Sequence, residues 1–168
     1  MSVGAMIRAA TAGDGAALAR IYNHYIANTI VTFEETAVSA AEMTARLAEV
    51  TDANLPWLVA QAPGGVSGFA YASRWKGRCA YRYSVEVTVY LESTAVGHGL
   101  GTALYNTLFA RLRELGCHVI IGGIALPNAA SVALHEKFGM RQVAHFNEVG
   151  YKFGRWVDVG YWQLLTPG

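Results

Sequence analysis

Apolar positions along the chain keep changing period, and each change marks an element. Leu18, Ile21, Tyr22 and Tyr25 recur at helical spacing behind Thr11-Ala12-Gly13-Asp14, a capping-box pattern. Ser39-Ala40-Ala41-Glu42 repeats that box ahead of Met43, Leu47 and Val50, which predicts a second helix soon after the first. Trp57-Leu58-Val59-Ala60-Gln61 reads as a strand, Pro63-Gly64-Gly65 as a turn, and residues 66–74 as the hairpin partner. The clearest strand spans residues 81–91. There Val85, Val87, Val89 and Leu91 alternate with Glu86, Thr88 and Tyr90, placing a carboxylate, a hydroxyl and a phenol on one face. Gly97-His98-Gly99-Leu100-Gly101 then runs into a helix carrying Leu104, Leu108, Leu112 and Leu115, which Gly116 ends. A buried strand over residues 118–125 follows, then Pro127-Asn128 and a short helix through Lys137, stopped by Gly139. Strand-like segments at 142–146 and 157–165 flank a turn at Phe153-Gly154-Arg155. A hairpin followed by strand, glycine loop, helix, strand, helix and strand predicts an α/β (α+β) fold.

Composition narrows this. With 168 residues, the chain is sized for one domain spanning 1–168, against a prior of roughly 150 residues per domain. It is 53% hydrophobic and 15% charged, which excludes a disordered chain. A net charge of +1 removes the basic footprint of a nucleic-acid binder. Cys79 and Cys117 come without a Cys-x-x-Cys or a nearby histidine pair, so neither a disulfide framework nor a metal site is expected. The longest apolar run, residues 119–126, is far short of the ~20 that span a bilayer. Residues 1–8 lack a basic region followed by an apolar one. The expectation is a cytoplasmic protein with no membrane partner.

The loop after the long strand is the first chemical signal. A strand, a glycine loop and a helix N-terminus together bind phosphate, because unpaired amides point at the anion and the helix dipole favours negative charge. No Gly-Lys-Ser/Thr occurs, so this is no Walker loop. Position 102 holds threonine where the dinucleotide fingerprint needs its third glycine. A tight turn of no further purpose is the plain alternative.

With its surroundings, the loop resembles the GNAT N-acetyltransferase superfamily. The match to that family's pyrophosphate motif is Val96-Gly97-His98-Gly99-Leu100-Gly101; Asn128 follows the next strand, and Leu134-His135-Glu136-Lys137-Phe138-Gly139 the next helix. Val96 departs from the family, which carries glutamine or arginine there. Ala72-Ser73-Arg74-Trp75-Lys76 and Gly150-Tyr151-Lys152-Phe153-Gly154-Arg155-Trp156-Val157-Asp158-Val159-Gly160-Tyr161-Trp162-Gln163 are similar to the phosphinothricin/methionine-sulfoximine N-acetyltransferase branch. The resemblance implies a central mixed twisted sheet with splayed middle strands flanked by helices. It implies acetyl-CoA as co-substrate, and acceptors that are small amino acids bearing a tetrahedral phosphorus or sulfur group.

Acetyl transfer needs a neutral amine, and a free α-amine with a reference pKa of ~8 is mostly protonated at pH 7. Glu86, on the central strand, is the candidate base; pairing with Arg82 or Arg74 is the competing reading. By resemblance, backbone groups of Val87, Thr88 and Val89 meet the pantetheine. Residues Val96, Gly97, His98, Gly99, Leu100, Gly101 and Thr102 then cradle the pyrophosphate, and Asn128 bonds the coenzyme besides capping its helix. His135 stands where many relatives carry the tyrosine that protonates the thiolate; a packing role is the alternative. Arg74, Lys76, Arg78 and Arg82 put four cations in nine residues. Arg74, Trp75 and Lys76 are the expected substrate contacts, with Ser84 and Val85 beside Glu86, and Glu35 on a loop that closes over the substrate in this branch.

Acetylation of a protein or peptide amine is the second enzymatic reading. A non-catalytic acyl-CoA-binding module is a third, motivated by Val96. Residues 153–165, with Trp156, Tyr161 and Trp162, look too apolar to leave a face in water. A homodimer is expected, as in the resembling enzymes, unless the first helix or the loop at Phe33 covers that face.

Overall fold

The computed structural model describes residues 4–167. Met1, Ser2, Val3 and Gly168, which the expected span includes, lie outside them. One sheet runs through the molecule, made of β1 (Met6–Ala9), β2 (Trp57–Ala62), β3 (Gly65–Arg74), β4 (Ser84–Leu91), β5 (Val119–Leu126), β6 (Arg141–Lys152) and β7 (Arg155–Leu165). The spatial order is β1-β2-β3-β4-β5-β7-β6. Neighbours are antiparallel except β4 and β5.

Helices cover both faces. α1 (Gly15–Asn28) and α2 (Ala40–Asp52) lie on one, where Leu18, Ile21, Met43 and Leu47 pack with Val59, Phe69 and Tyr90. α3 (Leu100–Glu114) lies on the other, its Leu104, Leu108 and Leu112 fully buried against Ala70, Val85, Val87 and Ile120. Each such leucine removed from water is worth about 1.5–3 kcal/mol. Leu134 and Phe138, at α4 (Ala129–Lys137), join this second core. No helix among the described residues is long and apolar enough to cross a membrane.

Local chemistry explains the boundaries. Ser39 Oγ accepts from the Glu42 amide at 3.1 Å and the Glu42 carboxylate accepts from the Ser39 amide at 2.6 Å, so the second capping box is real. The first opens a 3-10 turn, Ala12–Asp14, that leads into α1. Gly116 and Gly139 take φ of +75° and +84°, the left-handed conformation that ends a helix.

Three expectations need correction. β1 was not predicted, because four residues are too few to display a period; pairing from Met6↔Gln61 to Ala9↔Leu58 makes it a strand. β4 starts at Ser84 rather than 81, since Cys79–Tyr81 coils into a 3-10 turn. β6 extends from Arg141 to Lys152, well beyond 142–146, with irregularities at Gln142/Ala144 and Phe146/Gly150 that disrupt its alternation.

The parallel pair shapes the site. β4 and β5 are paired only at Ser84↔Val119, Val85↔Ile120 and Glu86↔Ile121. Past Glu86, β4 stays with β3 as far as Leu91, while β5 stays with β7 as far as Leu126. The two strands splay, and the edge of β4 beyond Glu86 is left without a strand partner on that side.

Candidate active site

Glu86 stands where the splay begins. Antiparallel pairing puts it on the same face as Ser73, and Tyr71↔Thr88 and Phe69↔Tyr90 continue that face. Across the gap lies Gly123, where a Cβ would sit 3.3 Å from Glu86 Oε1 and 3.0 Å from Tyr161 Cε1. Glycine there gives the carboxylate its room. Burial pushes the Glu86 carboxyl above its ordinary value of 4.5, with the Lys76 charge pulling weakly the other way. Neither competing arginine meets it. Arg82 donates to the Cys79 carbonyl at 3.1 Å and lies over the Tyr83 ring. Arg74 pairs with Val85 and so belongs to the α3 face, one residue out of phase with Glu86.

The other side of the gap is a buried trio. His135 Nδ1 lies 2.7 Å from the Ser131 carbonyl, which can only accept, so Nδ1 carries the proton. Burial lowers the His135 pKa, so the ring is neutral and Nε2 accepts from the Tyr105 hydroxyl at 3.3 Å. The imidazole lies on Gly122, where a Cβ would be 2.5 Å from Cδ2. His135 therefore has no N–H facing the gap; the hydroxyl of Tyr105 bears the proton of this pair. A cavity of about 250 Å³ connects the two sides and is lined by Glu86, Thr88, Gly123, Tyr105 and His135.

From there a cleft of about 380 Å³ runs to the glycine loop, lined by Val89, Val96, Gly97, Gly99, Thr102 and Asn128 among others. Gly97 and Gly99 adopt φ of +85° and +78°, and a Cβ on either would meet nothing within 4 Å, so their exposed side is open to a ligand. Gly101 differs: a Cβ there would lie 3.3 Å from Leu134, and the glycine lets α3 approach α4. The first amides of α3 have no intrahelical acceptor, and Asn128 Oδ1 accepts from the Ser131 amide at 3.1 Å as the cap of α4. This cradle fits the pyrophosphate of a coenzyme. Val96 and Leu100 line it too, whereas exposed His98 does not. Lys137, to which the sequence assigned no role, donates to Thr102 at 3.4 Å beside the loop.

On the Glu86 face, two cavities of about 390 and 410 Å³ share Phe146 and Tyr161. The first holds Glu86 and Gly123 under Val31 and Phe33; the second holds Trp75 and Lys76. The Lys76 ammonium sits 4.9 Å from the Trp75 ring centre. Trp75 and Lys76 are thus brought to the site. Arg74 is not, and the Val85 side chain is buried in the α3 core, so neither can touch an acceptor on the Glu86 face. Ser84 is half-buried at the strand's start and lines neither cavity. Glu35 is exposed on the loop whose Val31 and Phe33 do the lining. Gly122, Gly123, Tyr105, Tyr161, Val31 and Phe33 escaped the sequence reading. Adjacent glycines inside a buried strand were the available signal, since they mark a close approach.

The profile described as an acetyltransferase (GNAT) domain matches residues 7–160. The chain is 42% identical over 157 residues to the phosphinothricin N-acetyltransferase of Streptomyces viridochromogenes, which covers 94% of this chain and 85% of that protein. It is 36% identical over 158 residues to the L-methionine sulfoximine/L-methionine sulfone acetyltransferase of Salmonella typhimurium, covering 94% and 92%. The structure of a GNAT superfamily phosphinothricin acetyltransferase from Sinorhizobium meliloti, in complex with acetyl-CoA, superposes with a TM-score of 0.93 at 36% identity, covering 97% of this chain and 89% of that one.

Proposed function

This chain belongs to the GNAT acetyltransferase family, and we propose that its acceptors are small amino-acid analogues such as methionine sulfone, methionine sulfoximine and phosphinothricin, acetylated on the α-amine. It is an acyltransferase and acetyl-CoA is its co-substrate. The observation that carries the acceptor reading is Glu86, half-buried at the splay and facing an amino-acid-sized cavity of about 390 Å³. Relatives named for such acceptors support it. The peptide reading has one structural relative in its favour, the ribosomal-protein-alanine N-acetyltransferase from Brucella melitensis (TM-score 0.93, 37% identity), and the non-catalytic reading has Val96. The several relatives named for amino-acid acceptors and the amino-acid-sized cavity at Glu86 favour the first reading over both.

Acetyl-CoA supplies the thioester. Glu86 takes the proton from the acceptor ammonium, leaving a lone pair to attack the acetyl carbon. Backbone amides of the unpaired edge of β4, at residues 87–89, donate to the carbonyl oxygen as it becomes negative. The Tyr105–His135 pair lines the gap on the side of the departing sulfur. The Tyr105 hydroxyl turns its O–H from His135 Nε2 to the sulfur, gives up that proton and is reprotonated from solvent, in place of the direct donation expected of His135. Lys76, on its aromatic shelf, attracts the acceptor's carboxylate. Glycines 97 and 99, the first turn of α3 and Asn128 hold the coenzyme. Modification of toxic amino-acid analogues in the cytoplasm, by a homodimer, completes the reading.

Thiol release from acetyl-CoA, measured over an amino-acid and peptide panel, tests it. Turnover with methionine sulfone, sulfoximine or phosphinothricin is expected. Turnover with peptides alone, or acetyl-CoA binding without turnover, would overturn it.

A further inference from the structure

Residues 29–38, between α1 and α2, form no regular element, yet Val31 and Phe33 from this segment line both the acceptor cavity and the gap beside Tyr105. The segment must therefore be held in place by side chains. Its far end is: Arg46 grips Glu34 at 2.7 and 2.8 Å, and the Asn23 amide brackets Val38 at 2.8 and 2.9 Å. Its near end is held by Lys152, the last residue of β6, more than a hundred positions away.

The Lys152 side chain is fully buried. Its ammonium donates to the carbonyls of Thr29 at 2.7 Å and Thr32 at 2.8 Å, with the Phe153 ring centre 5.0 Å away. It has no ion pair among the described residues; the acid whose charge acts on it is Glu35, exposed on the same segment. A buried ammonium without an ion pair is costly, and its donors must be used. An apolar side chain would fill the space without that cost. What the cation adds is position: the two carbonyls it holds flank Val31. Two residues before it in the same strand, Gly150 receives the Phe33 ring, and a Cβ there would stand 2.3 Å from Phe33 Cζ. The end of β6 therefore seats both wall residues.

We propose that Lys152 is a positioning residue for the acceptor, fixing Val31 and Phe33 as the wall between the acceptor cavity and the coenzyme cleft. Its kinetic consequence rests on the acceptor reading above. Lys152→Met is the principal variant, and Lys152→Gln, which can still serve one carbonyl, is the milder one.

Two measurements decide. Amide hydrogen exchange should accelerate within residues 29–36 of either variant and stay unchanged in α1 and α2. The KM for methionine sulfone should rise about 10-fold or more, as for loss of a charged hydrogen bond, while the KM for acetyl-CoA moves less than about threefold. Unchanged exchange at 29–36, equal shifts in both KM values, or failure of both variants to fold would each overturn the proposal. Exchange needs no turnover, so a wild-type protein inactive on amino acids would sink the acceptor reading and leave this test standing.

Discussion

At the scale of single residues, Glu86 separates activity from stability. Its raised pKa means that the charged form is the costly one in the fold, so its favourable contribution exists below the unfolded value of 4.5 and is lost as pH rises through the folded one. Near neutral pH the carboxylate is held against its own preference. Glu86→Gln is expected to cut kcat by about 10²–10⁴-fold with an unchanged or slightly higher melting temperature. The acid limb of kcat/KM, set by Glu86 above pH 4.5 in the wild type, should give way in the variant to one set by the acceptor amine's own pKa of ~8, so that the loss is largest near neutral pH. An unaltered rate would remove Glu86 from the mechanism. Gly99→Val reads the coenzyme cradle: the side chain would enter open space at φ +78°, a conformation a β-branched residue resists. Calorimetry should find acetyl-CoA binding lost; wild-type affinity would sink the cradle. Glu86 and the glycines were legible because type and local order suffice to find them. Arg74 misled because it follows Ser73, the cross-strand partner of Glu86, and strand alternation puts the next residue on the opposite face of the sheet. Tyr105 was hidden because a tyrosine at a core position of a helix looks like packing.

At the scale of elements, what could be read from sequence tracks how local the determinants are. Both helix starts and the hairpin at Gly64-Gly65 are written in a few contiguous residues. β1 and most of β6 depend on partners distant in sequence: an edge strand of four residues, and a bulged strand with mostly exposed side chains, have no period of their own. The Asp14 box shows how a local signal gains tertiary weight. Its carboxylate accepts from the Thr11 amide at 2.8 Å and from Arg8 of β1 at 2.8 and 2.9 Å, tying the edge strand to the start of α1. Arg8, more than burial opposes, holds the Asp14 carboxyl below its usual value. Stability from this group is therefore complete above the unfolded value of 3.8 and lost as pH falls through the lowered one. Asp14→Asn should cost about 1.5–3 kcal/mol in urea unfolding at pH 7, and the gap to wild type should close under strong acid. A gap independent of pH would mean that packing, not charge, is what Asp14 supplies.

At the scale of the whole molecule, the question is what covers the β6–β7 hairpin. Of Trp156, Tyr161 and Trp162, the aromatics expected on a face in need of cover, Trp162 is instead 3% exposed, packs in the α3 core and donates to Glu136 at 3.3 Å. Val157 and Val159 are buried as well. The apolar excess lies elsewhere: Val143, Phe146, Val149, Tyr151, Phe153 and Trp156 are each at least half exposed, and Trp156 is 63% exposed. Neither α1 nor the loop at Phe33 hides them. They lie on both faces of the hairpin, Phe146 opposite Val159 on the acceptor side and Tyr151 opposite Trp156 on the other. A hairpin with aromatic groups exposed on both faces suits the core of a two-fold interface. Because Phe146 and Val149 also line the acceptor cavity, a partner subunit seated here would reach the mouth of the site, and assembly should matter for turnover. Trp156→Glu places a charge on the exposed hairpin without touching the core or the acceptor cavity. Light scattering is expected to show a dimer for the wild type and a monomer for the variant, with thiol release reduced while the melting temperature of dilute protein is little changed. A wild type already monomeric at micromolar concentration would dispose of the interface, and a monomeric variant with full activity would detach assembly from catalysis.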